Sequence, residues 1–218
     1  MSADRSPLPR RAIEVLREEG VRGLWWRSLG LTVYRRLVLV AREMEDDPPP
    51  RQSRPSLSFE FLAAGRLDDY LRLRPGFAAT EVERRLETGQ RCVLVRDGGE
   101  VVSARWLATG RAEMPYLNHV FDLPEGVAYV YDVYTSRAVR GRGVGAKGGA
   151  FAVGLLHSEG YRRLLGTFMP QSAAGRGLVA GAGYRPVGTI GCLRLPGLRR
   201  LVPRVPPGYL GRARRLRG

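Results

Sequence analysis

The stretch VRGRGVGAKGGAF, Val139 to Phe151, holds three glycines and two arginines in its first seven residues, then enters an apolar, glycine-dotted segment. It follows the alternating run VAYVYDVYT at 127–135, which reads as a strand, and it opens a helix-like run that reaches Glu159. Glycines spaced as in R-x-x-G-x-G let the main chain turn without a Cβ clash and approach a phosphate closely. A helix start adds exposed N–H groups and the positive end of the helix dipole, so the position suits an anion. The spacing alone is a weak signal. With 28 glycines in 218 residues, two fixed glycines coincide at about 2% of positions by chance. Two rival motifs fail: no G-K-S/T follows for a nucleotide P-loop, and no acidic residue ends a next strand as in a dinucleotide fold.

Outward from this stretch the chain alternates between strand and helix patterns. SFEFLAA alternates like a strand, and Leu67 to Leu73 and Glu81 to Leu86 have helical spacing. RCVLVRDGGEVVSARWLATG (91–110) holds two strands joined at Asp97-Gly98-Gly99, a hairpin signal. A loop through Pro115 and His119 leads to the strand at 127–135. Downstream come a strand in RRLLGTFM, a weak glycine-rich helix at Ala173–Ala182 and a last strand in RPVGTIGCLRL. This order predicts an α+β domain with a mixed, mostly antiparallel central sheet flanked by helices. Upstream, apolar residues from Ala12 through Trp25 and Leu29 to Val33 predict an amphipathic N-terminal helical appendage, with Leu37 to Ala41 as a strand. The expected layout is a helical appendage plus strand at 1–44, a Pro-rich linker at 45–56, the main domain at 57–195 and a basic tail at 196–218.

The formal net charge is +15, and because Lys147 is the only lysine, almost all of the basic charge is arginine. Such usage can follow from base composition alone, so the distribution says more than the total. Glu159 is the last acidic residue and a dozen arginines follow it. The tail reads as a loose extension; its alternative is a surface for an acidic partner such as an acyl carrier protein, an anionic acceptor or a membrane. Nucleic acid is disfavoured, because no aromatic interleaving or known module accompanies the charge. Cys92 and Cys192 lie in strand-like apolar runs, without disulfide-scaffold or metal-ligand spacing, so no metal site is expected. With no signal-like N-terminus and no apolar run long enough to cross a bilayer, the expected location is cytoplasmic.

In this order the hairpin after two helices, the strand VAYVYDVYTS, the loop R-G-R-G-V-G and the stretch MPQSAAGRGLVAGAGYRPVG resemble the GNAT superfamily of N-acetyltransferases. The resemblance covers roughly residues 57–195. It implies an acyl-CoA N-acyltransferase of class EC 2.3.1 that uses acetyl-CoA or another acyl-CoA and an amine acceptor. By this resemblance Arg140, Arg142, Gly143, Val144, Gly145 and Ala146 hold the pyrophosphate, and Val133, Tyr134 and Thr135 border the pantetheine. Two positions depart from the family: its asparagine aligns with Ser172 and its frequent general-acid tyrosine with Val179.

Acyl transfer to an amine needs a base, because an alkylamine of pKa roughly 10 is mostly protonated at neutral pH. Asp132 is the carboxylate nearest the loop, and strand alternation would put Asp132 and Tyr134 on one face with Tyr131, Val133 and Thr135 on the other. A base and an ion-paired structural aspartate are both open readings of Asp132. Tyr134, with Tyr131 and Tyr184, is a candidate acid or pocket-lining residue, and packing within the strands is the other reading of all three. Ser172 is a candidate by alignment, with a helix N-cap as its other reading. His119 borders the acceptor or lies at the surface, and His157 reads as structural. Two further functions stay in play: a GNAT-fold binding protein without catalysis, and an acyltransferase that draws its donor from an acyl carrier protein.

Overall fold

A computed structural model describes residues 33–44, 57–195 and 198–216. The helices expected before residue 33 and the Pro-rich linker at 45–56 lie outside the described residues. The chain divides into two compact units. Among the described residues, the first holds 43–44, 57–112 and 123–165, and the second holds 33–42, 113–122, 166–195 and 198–216.

The first unit is built on β2 (Leu57–Phe61), β3 (Arg91–Asp97), β4 (Glu100–Thr109) and β7 (Val127–Thr135), each antiparallel to the next. The hairpin between β3 and β4 turns on Gly98 and Gly99, whose φ angles of 60° and 92° match the left-handed pair that a two-residue turn requires. β8 (Arg163–Phe168) lies beside β7. The N–H groups of Arg162 and Arg163 both reach Gly126 O, so the two strands start together and run the same way. The helix between them, α3 (Val144–Ser158), is the crossover that a parallel pair needs.

Strands buried on both faces read as unbroken apolar runs, as CVLV in β3 does. Cys92 and Leu94 of β3, with Ala104 and Trp106 of β4, pack with Leu62, with Tyr70 of α1 (Leu67–Leu73) and with Val82 of α2 (Ala79–Glu87). Val95 and Val102 join Val139 and Val144 at the start of α3. The Tyr70 and Trp106 rings meet edge to face at 5.8 Å. The core of this unit therefore lies directly under the segment that ends at Asp132.

In the second unit β9 (Arg185–Leu195) pairs antiparallel with β1 (Tyr34–Glu43) and with β10 (Leu198–Arg204). β6 (His119–Asp122) pairs with β11 (Ala213–Arg215) and adjoins β5 (Arg111–Met114). Helix α4 (Ala173–Gly181) follows β8. The tail read as a loose extension is thus two strands. Arginines interrupt its alternation and Pro203 removes a donor, yet β10 is an edge strand, where a missing N–H is tolerated. The end of β5, the 3-10 turn at Pro115–Leu117 and β6 replace the loop expected at Met114–Asp122.

Candidate active site

Ser103 and Ala104 of β4 face Thr135 and Tyr134 of β7, but Trp106 faces Tyr131. Arg105 alone therefore opposes two residues, Asp132 and Val133, which makes a β-bulge. Asp132 has a φ of 47°, a left-handed conformation that aspartate tolerates better than most side chains. The bulge breaks the alternation expected along this strand. Tyr131, expected on the far face from Asp132, meets the same arginine: Arg85 Nη1 donates to Asp132 Oδ2 at 2.9 Å, and its guanidinium lies 5.2 Å from the Tyr131 ring centre.

Around the Asp132 carboxylate the first unit assembles a cluster. Arg74 Nη2 donates to Oδ1 at 2.9 Å, and the Tyr70 hydroxyl stands 3.5 Å from Oδ2. Trp106 Nε1 donates to that hydroxyl at 3.0 Å. The Arg74 guanidinium lies 4.7 Å from the Phe77 ring and 4.6 Å from the Tyr134 ring. Arg85 is only 7% exposed, stacks near Phe77 and Trp106, and donates from Nε to Glu81 Oε1 at 2.9 Å. Cation–π contacts and two carboxylates are what keep a buried guanidinium charged. Burial disfavours that charge, but Tyr131, Asp132 and Glu81 outweigh it, and the Arg85 pKa is raised. Hydrogen bonds from Arg84 and then Arg85 hold Glu81 down to about 2 against the opposing effect of burial. Burial, and next the Asp132 charge, push the Tyr70 phenol well up, so it stays protonated.

Past the bulge, Ser103 Oγ donates to Tyr134 O at 2.8 Å and lies 3.0 Å from Thr135 Oγ1, which pins the end of β7 to β4. Arg140 Nε donates to Thr135 O at 3.1 Å, and the Arg140 guanidinium lies 5.9 Å from the Tyr134 ring. Gly143 begins α3 with a φ of 78°, and no side chain caps that helix start. The first N–H groups of a helix have no intrahelical acceptor. No acidic residue occurs between Asp132 and Glu159, while Arg137, Arg140, Arg142 and Lys147 do. A Cβ at Gly143 would meet nothing within 4 Å, so the space over the turn is open. Uncapped N–H groups, an open turn and guanidiniums that meet no carboxylate among the described residues suit a diphosphate, so the residues present fit the pyrophosphate of a CoA thioester.

Beneath the same helix start lies Arg105, 5% exposed, whose Nη2 donates to Gly145 O at 2.6 Å. A Cβ at Gly148 would come within 2.7 Å of that Nη2 and of Val95 Cγ2, and one at Gly149 within 2.9 Å of Nη1. These two glycines, poor helix formers, are there because a side chain would displace the guanidinium.

Asp132, Val133, Tyr134, Thr135 and Arg140 are thus brought together in the first unit. Ser172 belongs to the second, where its Oγ accepts from Gly175 N–H at 3.1 Å and caps α4. His119, also in the second unit, has Nδ1 at 2.8 Å from Leu117 O. His157 lies in the last turn of α3, where a cation would complement the dipole. Cys92 and Cys192 are free and buried, and burial raises the Cys92 thiol. Among the described residues no group of three or more His, Cys, Asp or Glu could hold a metal, and no helix is long and apolar enough to cross a membrane. Sequence reasoning missed Arg74, Arg85 and Arg105. The last two carried a signal: an arginine beside Val82 and Leu86 on the buried stripe of α2, and one inside the apolar run of β4.

The model of the acetyltransferase (GNAT) family matches residues 59–184. The chain belongs to the GNAT acetyltransferase family. A GCN5-related N-acetyltransferase from Kribbella flavida is similar at 19% identity with a TM-score of 0.50, over 71% of this chain and 56% of that one. A conserved protein of unknown function from Staphylococcus epidermidis is similar at 12% identity and a TM-score of 0.52, over 77% of this chain and 64% of that one. A GCN5-related glucosamine N-acetyltransferase region of a fungal multi-domain GH3 β-N-acetylglucosaminidase reaches 0.56 at 16% identity, over 85% of this chain and 23% of that one. At these identities the likeness shows the fold, and the chain spans less than two thirds of each of these three structures. No curated protein matches the sequence. GNAT members generally use acetyl-CoA or another acyl-CoA, which agrees with the anion-suited start of α3.

Proposed function

We propose that the chain is an N-acyltransferase that moves an acyl group, acetyl in the simplest case, from acyl-CoA to an amine by direct transfer. The observation that carries this reading is the uncapped, glycine-turned start of α3 with Arg140 and Arg142 beside it, within a GNAT domain. When bound, acyl-CoA supplies the thioester acyl group that the amine attacks. The N–H groups from Gly143 to Ala146 would hold the diphosphate, whereas that of Arg142, expected among them, donates to Val139 O at 3.3 Å. Val133, 44% exposed on the bulge, with Tyr134 and Thr135 gives the apolar and main-chain edge for the pantetheine arm.

The amine must lose a proton to react, and Asp132 is the carboxylate proposed to take or relay it. Because both oxygens already accept guanidinium hydrogen bonds, Asp132 takes the proton by yielding one of them, and at rest it holds Arg74 and Arg85 in place. Tyr134 is the phenol proposed to protonate the leaving group. A second reading, a domain that binds acyl-CoA without turnover, is supported by Ser172 acting as a cap and by Val179 at the family's tyrosine position. Thioester cleavage in the presence of an amine panel separates the two.

Calorimetry with CoA and acetyl-CoA tests the common premise. Wild type is expected to bind and to gain melting temperature by mass action. Gly143→Glu forces a side chain into a left-handed position and sets a carboxylate over the anion site, so binding is lost while the fold survives. Arg140→Ala weakens binding less. Absence of wild-type binding at millimolar ligand would overturn the proposal.

A further inference from the structure

Resting on the acyltransferase reading, we infer that the acceptor amine also carries an anionic group, carboxylate or phosphate, which Arg74 reads. The observations lie on the α1–α2 side of the bulge. Three guanidiniums, those of Arg74, Arg85 and Arg140, gather about the Tyr131 and Tyr134 rings, and the carboxylates that meet them are Asp132 and Glu81. Glu81 is moreover shared with Arg84. Arg140 has no acidic partner among the described residues. With Arg140 assigned to the diphosphate, Arg74 and Arg85 share Asp132 while Arg85 and Arg84 share Glu81, in surroundings where the side chains of Arg74, Arg85 and Asp132 are 23%, 9% and 16% exposed. Gathered, half-desolvated cations repel one another unless an anion completes the set.

Arg74 is the member built to receive that anion. Among the described residues it spends a single nitrogen, Nη2, on protein, and Phe77 and Tyr134 fix its plane. Nη2 keeps a second hydrogen, and with the adjacent N–H of Nε or of Nη1 it presents a fixed fork, a geometry that matches an oxyanion in two-point fashion and that lysine lacks. Arg85, by contrast, spends Nε and Nη1 on Glu81 and Asp132 and is nearly buried. The site thus places a carboxylate for the acceptor's ammonium, Asp132, directly beside a cation for its acidic group, Arg74. Recognition of both ends selects zwitterionic amines, such as amino acids or phosphorylated amines, over plain alkylamines.

The test uses matched pairs of acceptors with acetyl-CoA: alanine against alaninamide for carboxylate, phosphoethanolamine against ethanolamine for phosphate. Wild type is expected to prefer the anionic member of one pair, which also identifies the anion. In Arg74→Gln the ratio of kcat/KM values, anionic over neutral, falls by about tenfold or more, with Arg74→Lys intermediate. Comparing this ratio between wild type and variant cancels differences in amine pKa and any general loss of activity in the variant. Equal use of both members of each pair by wild type, or an unchanged ratio in Arg74→Gln, would sink the inference. The binding arm stands apart from catalysis: the anionic members raise the wild-type melting temperature more than the neutral ones, and Arg74→Gln loses the difference. If CoA fails to bind yet this difference is present, the transferase reading falls and the anion site stands; if CoA binds and the difference is absent, the anion site alone is refuted.

Discussion

Asp132 illustrates how one residue can serve fold and chemistry together. Its left-handed φ makes the bulge, its carboxylate holds Arg74 and Arg85, and its place beside the anion loop makes it the proposed proton acceptor. The roles are separable. Asp132→Asn is expected to lower turnover by about 10²–10⁴, with CoA affinity nearly unchanged. Asp132→Ala is expected to cost about 2–4 kcal/mol in urea denaturation, at the lower end for a broken buried pair because Glu81 still neutralises Arg85. An Asn variant with wild-type rates across pH removes Asp132 from the chemistry and leaves it the anchor. Glu81 provides a pH test of the same cluster. Its folded pKa of about 2 lies below the unfolded value near 4.3, so its stabilisation is complete above that unfolded value and is lost as pH falls towards 2. Glu81→Gln is therefore expected to shrink the loss of stability between about pH 4.5 and 2, measured as melting temperature against pH.

At the scale of elements, α3 has a sequence that argues against a helix and a position that requires one. Glycine costs roughly 1 kcal/mol against alanine in a helix interior. Gly148 and Gly149 accept that cost because the Arg105 guanidinium occupies the space their side chains would take. The sign of a substitution at Gly149 should consequently depend on Arg105. In wild type, Gly149→Ala is expected to destabilise by about 1–3 kcal/mol through overpacking. In an Arg105→Ala background the same change is expected to stabilise by about 1 kcal/mol, through helix propensity alone. A double-mutant cycle by chemical denaturation measures this reversal; additive effects would mean that Arg105 and Gly149 do not share the space. β7 shows the converse case. Its nine residues read as a plain alternating strand, and the bulge that sets its faces has no mark in the local pattern.

For the whole molecule, the strongly basic end of the chain is part of the fold. β10 pairs with β9 along its length, Leu201 opposite Cys192 and Pro203 opposite Ile190, both of which are buried. Asp122 accepts from Arg214 and its N–H donates to Arg212 O at 3.0 Å, which ties β11 to β6. Truncation after Leu195 is expected to lower the melting temperature and to make the Cys192 thiol reactive in native conditions, followed with a thiol reagent. A truncated chain with an unchanged melting temperature and an inert Cys192 would return residues 196–218 to the status of an appendage.

What the sequence determined by itself is the order and kind of the elements, because these depend on periodicities read within a dozen residues. The strand at 127–135, the strand at 185–195 and the helix at Leu67–Leu73 coincide with β7, β9 and α1. The R-x-x-G-x-G stretch likewise announced a glycine-turned helix start, since a left-handed turn without a Cβ is a local demand. Only the tertiary structure decided which charges meet. Arg85, Arg74 and Asp132 are drawn together from α2, the segment after α1 and a bulged strand by contacts 47 and 58 residues apart in sequence. Short strands such as β5, β6, β10 and β11 also escaped notice, because a few residues of alternation acquire meaning only when a partner strand supplies the hydrogen bonds. Local pattern specifies backbone conformation, whereas the pairing of a carboxylate with two guanidiniums depends on distances that the packed fold alone sets.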